Sequence, residues 1–131
     1  MSAKTEESSE WGWSMKLVKL SSVGMVTTYG YPEGDWKEKH RVLTGLIGPE
    51  CELLESVHPQ KLYKPFGGPM ELGKAVMLVD ESGWFHNTIP NIRASQLYGD
   101  TIMGAALFVG VDGEDFTGLT DEQVKDLIAY L

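Results

Sequence analysis

The sequence predicts one α+β domain over residues 15–131, with a mostly antiparallel twisted sheet and two or three helices. The length of 131 residues is close to the commonest size of a single domain, and neither a repeat nor a linker divides the chain. Short runs of β-branched and aromatic residues between turn residues predict strands. Periodic apolar segments that begin at capping residues predict helices.

The first ten residues are polar and acidic, and they lack apolar side chains able to anchor them. Residues 1–14 are therefore predicted to form a disordered, acidic N-terminal tail. Trp11 and Trp13 lie at the end of this tail. They either pack against the domain or form an exposed patch for a partner, and packing is favoured because large exposed aromatic side chains are a liability.

The first half of the domain is predicted to contain strands on either side of one helix. Residues 16–31 predict either a hairpin across Ser21-Ser22 or one broken strand. Asp35 is predicted to cap a helix, with Glu38 three residues later, and Gly48-Pro49 ends it. Residues 51–57 are predicted to be a further strand.

The second half begins with residues 58–74, whose prolines and glycines predict a long irregular segment of the kind that is usually functional or mobile. A buried strand over 75–79 and a turn over 80–83 follow, and residues 84–85 are predicted to begin a short return strand. Asn91 is predicted to cap a short helix that ends at Gly99. A strand over 102–111, interrupted by Gly104, and a last helix with a Thr120–Gln123 capping box complete the domain.

Composition excludes several classes of protein. The net charge is −8, and most of the excess negative charge lies in residues 1–10 and 112–131. Phosphate binding needs clustered Lys and Arg, so nucleic-acid binding is disfavoured. A single cysteine, Cys51, fits a reducing, cytoplasmic setting. The longest apolar run, residues 105–109, is far too short to cross a membrane, and the N-terminus lacks a signal-peptide pattern.

No catalytic, metal-binding or cofactor motif is found. Residues 68–75 match the spacing of a phosphate-binding loop, but Ala75 replaces the Ser or Thr that holds magnesium, and a strand follows instead of a helix. The three histidines share no metal-ligand spacing. Cys51 lies between Glu50 and Glu52, which disfavour its thiolate, so we interpret it as a small core residue. An enzyme is therefore not expected.

Two kinds of site are left as hypotheses. The first is a polar pocket for a small anionic or nucleotide-like ligand, in which Arg93 pairs with the anion. Its residues are His86, Asn87, Asn91, Arg93, Tyr63 and Lys64. The competing interpretation of Asn91 is a helix cap. The second is a surface for a basic protein partner, made of acidic side chains and exposed aromatics: Glu114, Asp115, Glu122, Asp126, Trp11 and Trp13. Its competing interpretation is a solvated acidic face.

The order of several short motifs resembles a small domain-of-unknown-function family common in bacteriophages and mobile elements. These motifs are Leu46-Ile47-Gly48, residues 52–55, residues 79–83, Pro90-Asn91, Ala94-Ser95, Gly104, residues 108–110 and Leu119-Thr120. The resemblance covers about residues 42–131. It implies a cytoplasmic accessory protein of the phage type, without implying a reaction. We therefore expect a non-enzymatic protein that binds and modulates or blocks a host protein, such as a defence component; the alternative is sequestration of a small ligand.

Overall fold

The computed structural model describes residues 15–87 and 89–131, so the predicted tail with Trp11 and Trp13 lies outside the described residues. Within them, six strands form one antiparallel sheet. They are β1 (Lys16–Leu20), β2 (Val26–Gly30), β3 (Leu54–Val57), β4 (Ala75–Asp80), β5 (Ala106–Asp112) and β6 (Asp115–Thr117). Their order across the sheet is β2-β1-β5-β4-β3, and β6 pairs with the end of β5. The predicted α+β class is confirmed.

Helices cover both faces of this sheet. α1 (Trp36–Ile47) lies on one face, and α3 (Ile92–Tyr98) and α4 (Asp121–Tyr130) lie on the other. α2 (Gly83–His86) is a single turn at the end of β4, and two 3-10 turns, Gln60–Leu62 and Lys64–Phe66, follow β3. The sheet is thus the middle of three layers, an arrangement that buries both of its faces.

Side-chain caps fix the beginnings of the three longer helices. The Asp35 carboxylate accepts a hydrogen bond from the Glu38 amide at 2.9 Å, and the Asn91 amide oxygen accepts one from Ala94 at 3.1 Å. Thr120 and Gln123 form a reciprocal capping box. Each bond satisfies one backbone N–H that the first helical turn leaves free. All three predicted helix starts are confirmed.

Alternate residues of the central strands supply two separate cores. On the α1 face the core residues are Leu17, Leu43, Val76, Leu78, Leu107 and Val109. On the other face Phe108 is the largest fully buried side chain, and it packs with residues of α3, α4 and the 58–74 segment. Because both faces are covered, every residue of β4 is buried, as a continuous apolar run predicts.

Residues 58–74 are more ordered than the sequence suggests. Leu62, Tyr63 and Met70 are buried, and the backbone closes on itself: Met70 donates to the Leu62 carbonyl at 3.0 Å, and Lys64 donates to the Met70 carbonyl at 2.7 Å. Gly68 lies so close to the Leu62 carbonyl that a side chain would collide with it. This segment is therefore part of the core against α3 and α4.

Two predicted strands begin later than expected, and one predicted strand does not form. Residues 16–31 form a hairpin and not one broken strand. The strand predicted from Cys51 begins only at Leu54, and the one predicted over 102–111 covers Ala106–Asp112. Residues 84–85 do not begin a return strand, because the chain turns helical at Gly83. The physical reason is a local set of hydrogen bonds made by Asp80, described next.

Candidate functional site

The short helix α2 exposes two large aromatic side chains. Trp84 is 69% exposed and Phe85 is 90% exposed. Burial of either ring would be worth about 1.5–3 kcal/mol, so a folded domain gains nothing by leaving both in water. Exposed aromatic side chains grouped on one element are typical of a surface that another molecule covers.

A buried carboxylate holds α2 in place. Asp80, the last residue of β4, accepts a hydrogen bond from the Ser82 amide at 2.9 Å, and its other oxygen lies 2.6 Å from Nδ1 of His86. Gly83, between them, packs against the backbone of Met103, where a Cβ would lie 2.9 Å from the Met103 carbonyl oxygen. Both ends of the turn are therefore fixed to the body of the domain.

The pairing with Asp80 changes the titration of His86. The hydrogen bond to Asp80 raises the pKa of the imidazole, against an opposing effect of desolvation, and the charges of Asp80, Glu50 and Glu52 raise it further. Because its folded-state pKa is raised, protonated His86 contributes to the stability of the folded protein. This contribution is complete below the ordinary imidazole pKa of about 6.5, and it is lost as the pH rises through the raised pKa. Anchoring of α2 is thus strongest in mildly acidic solution.

Acidic side chains lie near α2: Glu55 and Glu81 line a small cavity with Trp84, and Glu50 and Glu52 act on the charge of His86. The Glu81 amide donates to the Leu53 carbonyl at 3.0 Å, which brings the exposed side chain of Leu53 to the same region. Segments 50–57 and 80–87 contain no Lys or Arg. We call this region the α2 surface: Trp84, Phe85 and Leu53, with Glu50, Glu52, Glu55 and Glu81 as its rim. Its exposed apolar side chains thus belong to segments whose charged residues are acidic.

A cavity of about 270 Å³ lies beside α2, between the end of α1 and residues Cys51, Asp80, His86 and Asn87. Burial, with a smaller contribution from the Asp80 charge, raises the pKa of the Cys51 thiol to about 11. At neutral pH this thiol is protonated and a poor nucleophile. The residue is buried, which agrees with the interpretation of Cys51 as a core residue, but the causes of the raised pKa are burial and Asp80 rather than Glu50 and Glu52.

The six predicted ligand-binding residues occupy three different places. His86 and Asn87 line the cavity beside α2. The Tyr63 hydroxyl donates to the Ala75 carbonyl at the opposite end of β4, roughly 16 Å away along the strand. Lys64 follows it and pairs with Glu71 at 2.6 Å. The structure therefore does not bring these four residues together.

Asn91 and Arg93 occupy the third place, and their polar atoms bond within the fold. The Asn91 side chain is 1% exposed and donates to the carbonyls of Leu20 and Gly104, both at 3.0 Å, in addition to capping α3. Arg93 donates to the Tyr130 carbonyl at 2.8 Å, with its guanidinium 5.2 Å from the centre of the Tyr130 ring. Both residues join parts of the chain that are distant in sequence.

The acidic residues that were predicted to bind a partner also lie in separate places. Glu114, in the β5–β6 turn, and Asp115, the first residue of β6, line a cavity of about 510 Å³ with Trp36 and Lys39 of α1. Glu122 and Asp126 are exposed on α4, which covers the opposite face of the sheet. They therefore do not form one continuous acidic surface with the turn.

The comparisons with known proteins identify a family. The model of a domain of unknown function, DUF3846, matches residues 56–131, which is more than half of the chain. The chain belongs to the DUF3846 family. The match begins at Ser56, so the motifs at 46–48 and 52–55 precede it, whereas the later motifs lie within it. No curated protein and no solved structure matches the chain.

Of the α2 surface, the DUF3846 match includes Trp84, Phe85 and Glu81 but not Leu53. The sequence did not mark Trp84 and Phe85 as functional, because two aromatic residues after a turn look like the start of a strand. Within residues 15–87 and 89–131, no three His, Cys, Asp or Glu side chains are grouped so that they could hold a metal ion. Over the same residues, no helix has the length and apolar character to cross a bilayer.

Proposed function

We propose that this DUF3846 protein is a non-enzymatic accessory protein of the phage type that binds a host protein and modulates or blocks it. Its setting would be the bacterial cytoplasm, and inhibition of a host defence system is one such role. The observation that carries this proposal is the pair of exposed aromatics, Trp84 and Phe85, on a helix turn that Asp80 anchors. A helix turn whose backbone is already fixed loses little backbone freedom on binding, which favours affinity.

The chemistry of the α2 surface indicates what the partner presents. Two aromatic rings and Leu53 need an apolar pocket, and the carboxylates around them favour Lys or Arg at the border of that pocket. An Arg or Lys side chain also stacks well on the face of an indole ring. A host protein with a basic-rimmed apolar pocket is therefore the partner that we propose.

A small-ligand function has weaker support. The predicted pocket residues are in three places; the cavity that contains His86 and Asn87 measures about 270 Å³, and the one that contains Asn91 and Arg93 measures about 290 Å³. Pockets for small molecules usually measure about 300–1,000 Å³. The α2 surface, in contrast, offers apolar area without a deep cavity, as protein interfaces commonly do.

The test uses paired variants as affinity baits in bacterial lysate. The W84A/F85A variant removes the proposed anchor, and F66A/L72A removes two side chains that are similarly exposed in the 58–74 segment. We expect the wild type and F66A/L72A to retain the same partner, identified by mass spectrometry, and W84A/F85A to lose it. Equal retention by all three baits, or loss by both variants, would contradict an anchor at α2.

The identified partner then allows a quantitative test with purified proteins. Central aromatic residues of an interface contribute about 2 kcal/mol or more, so Trp84→Ala is expected to raise Kd by at least about 30-fold. Raising the salt concentration should weaken wild-type binding, because the carboxylate rim is exposed. The variant E122K/D126K tests the acidic face of α4 in parallel; a larger effect from it than from Trp84→Ala would move the interface to α4.

A further inference from the structure

The outer edge of β2 presents backbone hydrogen-bonding groups that face away from the sheet. β2 is the last strand on its side of the sheet, and no described residue of this chain pairs with its outer edge. The Ser21 amide donates to Met25, and the Tyr31 amide donates to Met15, both at 2.9 Å. Because hydrogen-bonded pairs alternate along an antiparallel hairpin, odd-numbered residues of β2 bond to β1. The N–H and C=O groups of Val26, Thr28 and Gly30 therefore point away from the sheet.

This edge lacks the features that usually prevent strands from pairing between molecules. Natural edges are protected by charged residues, prolines, bulges or shortness. β2 has the sequence Val-Thr-Thr-Tyr-Gly, without charge or proline, and it pairs with β1 in continuous register over five residues. The opposite edge strand, β3, has four residues and carries Glu55. The two edges of the sheet thus differ in how readily they accept another strand.

We propose that β2 pairs with β2 of a second copy of this chain, antiparallel, about a two-fold axis at Thr28. In this register Thr28 lies opposite itself, and Val26 lies opposite Gly30 of the other copy. The outward groups of these residues then form about six hydrogen bonds between the two copies. A two-fold axis makes the contact self-complementary, and it closes after two copies.

Side chains next to the strand favour the same register. Met25 is 65% exposed, and in this pairing it lies opposite Tyr31 of the other copy. Tyr31 lines a cavity of about 520 Å³ with Met15, Gly30 and Pro32. Met25 and Tyr31 are both odd-numbered, so both lie on the α1 face of the extended sheet, where this cavity opens. Each copy therefore offers an apolar side chain and the cavity that accepts it.

Cysteine cross-linking tests both the contact and its register. In a Cys51→Ala background, Thr28→Cys places two thiols on the axis, with Cα atoms about 5.5 Å apart, which suits a disulfide. Val26→Cys is the matched control, because its two thiols would be roughly 14 Å apart. Mild oxidation should give a covalent dimer only with Thr28→Cys. Linking of neither variant, or of both equally, would overturn the proposed register.

The mass of the uncross-linked protein tests the dimer itself. Light scattering after gel filtration should show a dimer for the wild type and for Thr28→Val, which keeps the strand uncharged. Thr28→Pro removes the central N–H, and Thr28→Lys places two ammonium groups on the axis; each should raise the dimer Kd at least about 100-fold. Circular dichroism confirms that the variants are folded. The proposal would be overturned by a wild type that stays monomeric at about 100 µM, or by a dimer that neither change weakens.

Discussion

Replacing Asn91 by alanine removes three hydrogen bonds from the interior of the domain. The Asn91 side chain joins β1 through the Leu20 carbonyl, the segment before β5 through the Gly104 carbonyl, and the first turn of α3 through the Ala94 amide. These contacts link the end of β1 to residues more than 70 positions later in the chain. The side chain is 1% exposed, so solvent cannot easily replace them.

The loss of unfolding free energy can be estimated from the backbone groups that Asn91→Ala leaves without a hydrogen-bond partner. Loss of a helix cap costs about 1 kcal/mol, and a buried carbonyl without a donor costs about 1–3 kcal/mol. With partial relaxation, we expect Asn91→Ala to lower the free energy of unfolding by about 3–5 kcal/mol, a large share of the roughly 5–15 kcal/mol typical of a domain. The melting temperature should fall by about 10–20 °C.

Urea unfolding followed by circular dichroism measures this effect. Gln96→Ala, at an exposed position of α3, is the control and should change stability by less than about 0.5 kcal/mol. A loss below about 1 kcal/mol for Asn91→Ala would refute the reasoning, because it would mean that neither carbonyl depends on this side chain.

The isosteric change Asn91→Asp sharpens the test. The carboxylate keeps the cap, but it faces two carbonyl oxygens and is buried, so the charged form is disfavoured and its folded-state pKa is raised. Such a group stabilises most below its unfolded pKa of about 3.9, and stability falls as the pH rises through the folded value. Relative to the wild type, this variant should be more damaged at pH 8 than at pH 4; a pH-independent difference would contradict the geometry.

Other perturbations are predicted at separate sites. Phe108→Ala should lower stability by about 3–5 kcal/mol in urea unfolding, and a loss near zero would show that the face under α3 and α4 is loosely packed. Gly68→Ala makes a Cβ collide with the Leu62 carbonyl oxygen and should cost about 1–3 kcal/mol or more, whereas Gly45→Ala, in open space on α1, should stabilise by about 0.5–1 kcal/mol; equal melting temperatures would refute this contrast. The Cys51 thiol, with a pKa of about 11, should react with a disulfide reagent at pH 8 roughly 100-fold more slowly than a free thiol and faster as the pH rises. Rapid reaction at pH 8 would show that it is exposed.

Local chemistry explains why much of the fold could be predicted. The caps at Asp35, Asn91 and Thr120 act within three residues, so sequence alone is enough to place them. The apolar run of β4 similarly implies burial on both faces. α2 was missed because its residues favour strands by propensity, and the turn depends on Asp80 and on the close approach of Met103.

The candidate site was harder to predict, because it depends on topology. Tyr63 and His86 bond near opposite ends of β4, and no local pattern gives that separation. The resemblance to a family of unknown function could be drawn from motif order, whereas the proposed anchor depends on which side chains stay exposed after folding. Trp84 and Phe85 are ordinary core residues by type, and only the packing around them leaves them in water.

The position of β5 in the middle of the sheet has a consequence for how the domain folds. Val18 of β1 pairs with Phe108 of β5, about 90 positions later in the chain. The first hairpin is therefore synthesised long before β5, the strand that pairs with it. Closing so long a loop slows folding. Until β5 has paired, both edges of the hairpin can bind other incompletely folded chains. Successful refolding should therefore require dilute protein, and yield should fall steeply as the chain concentration rises.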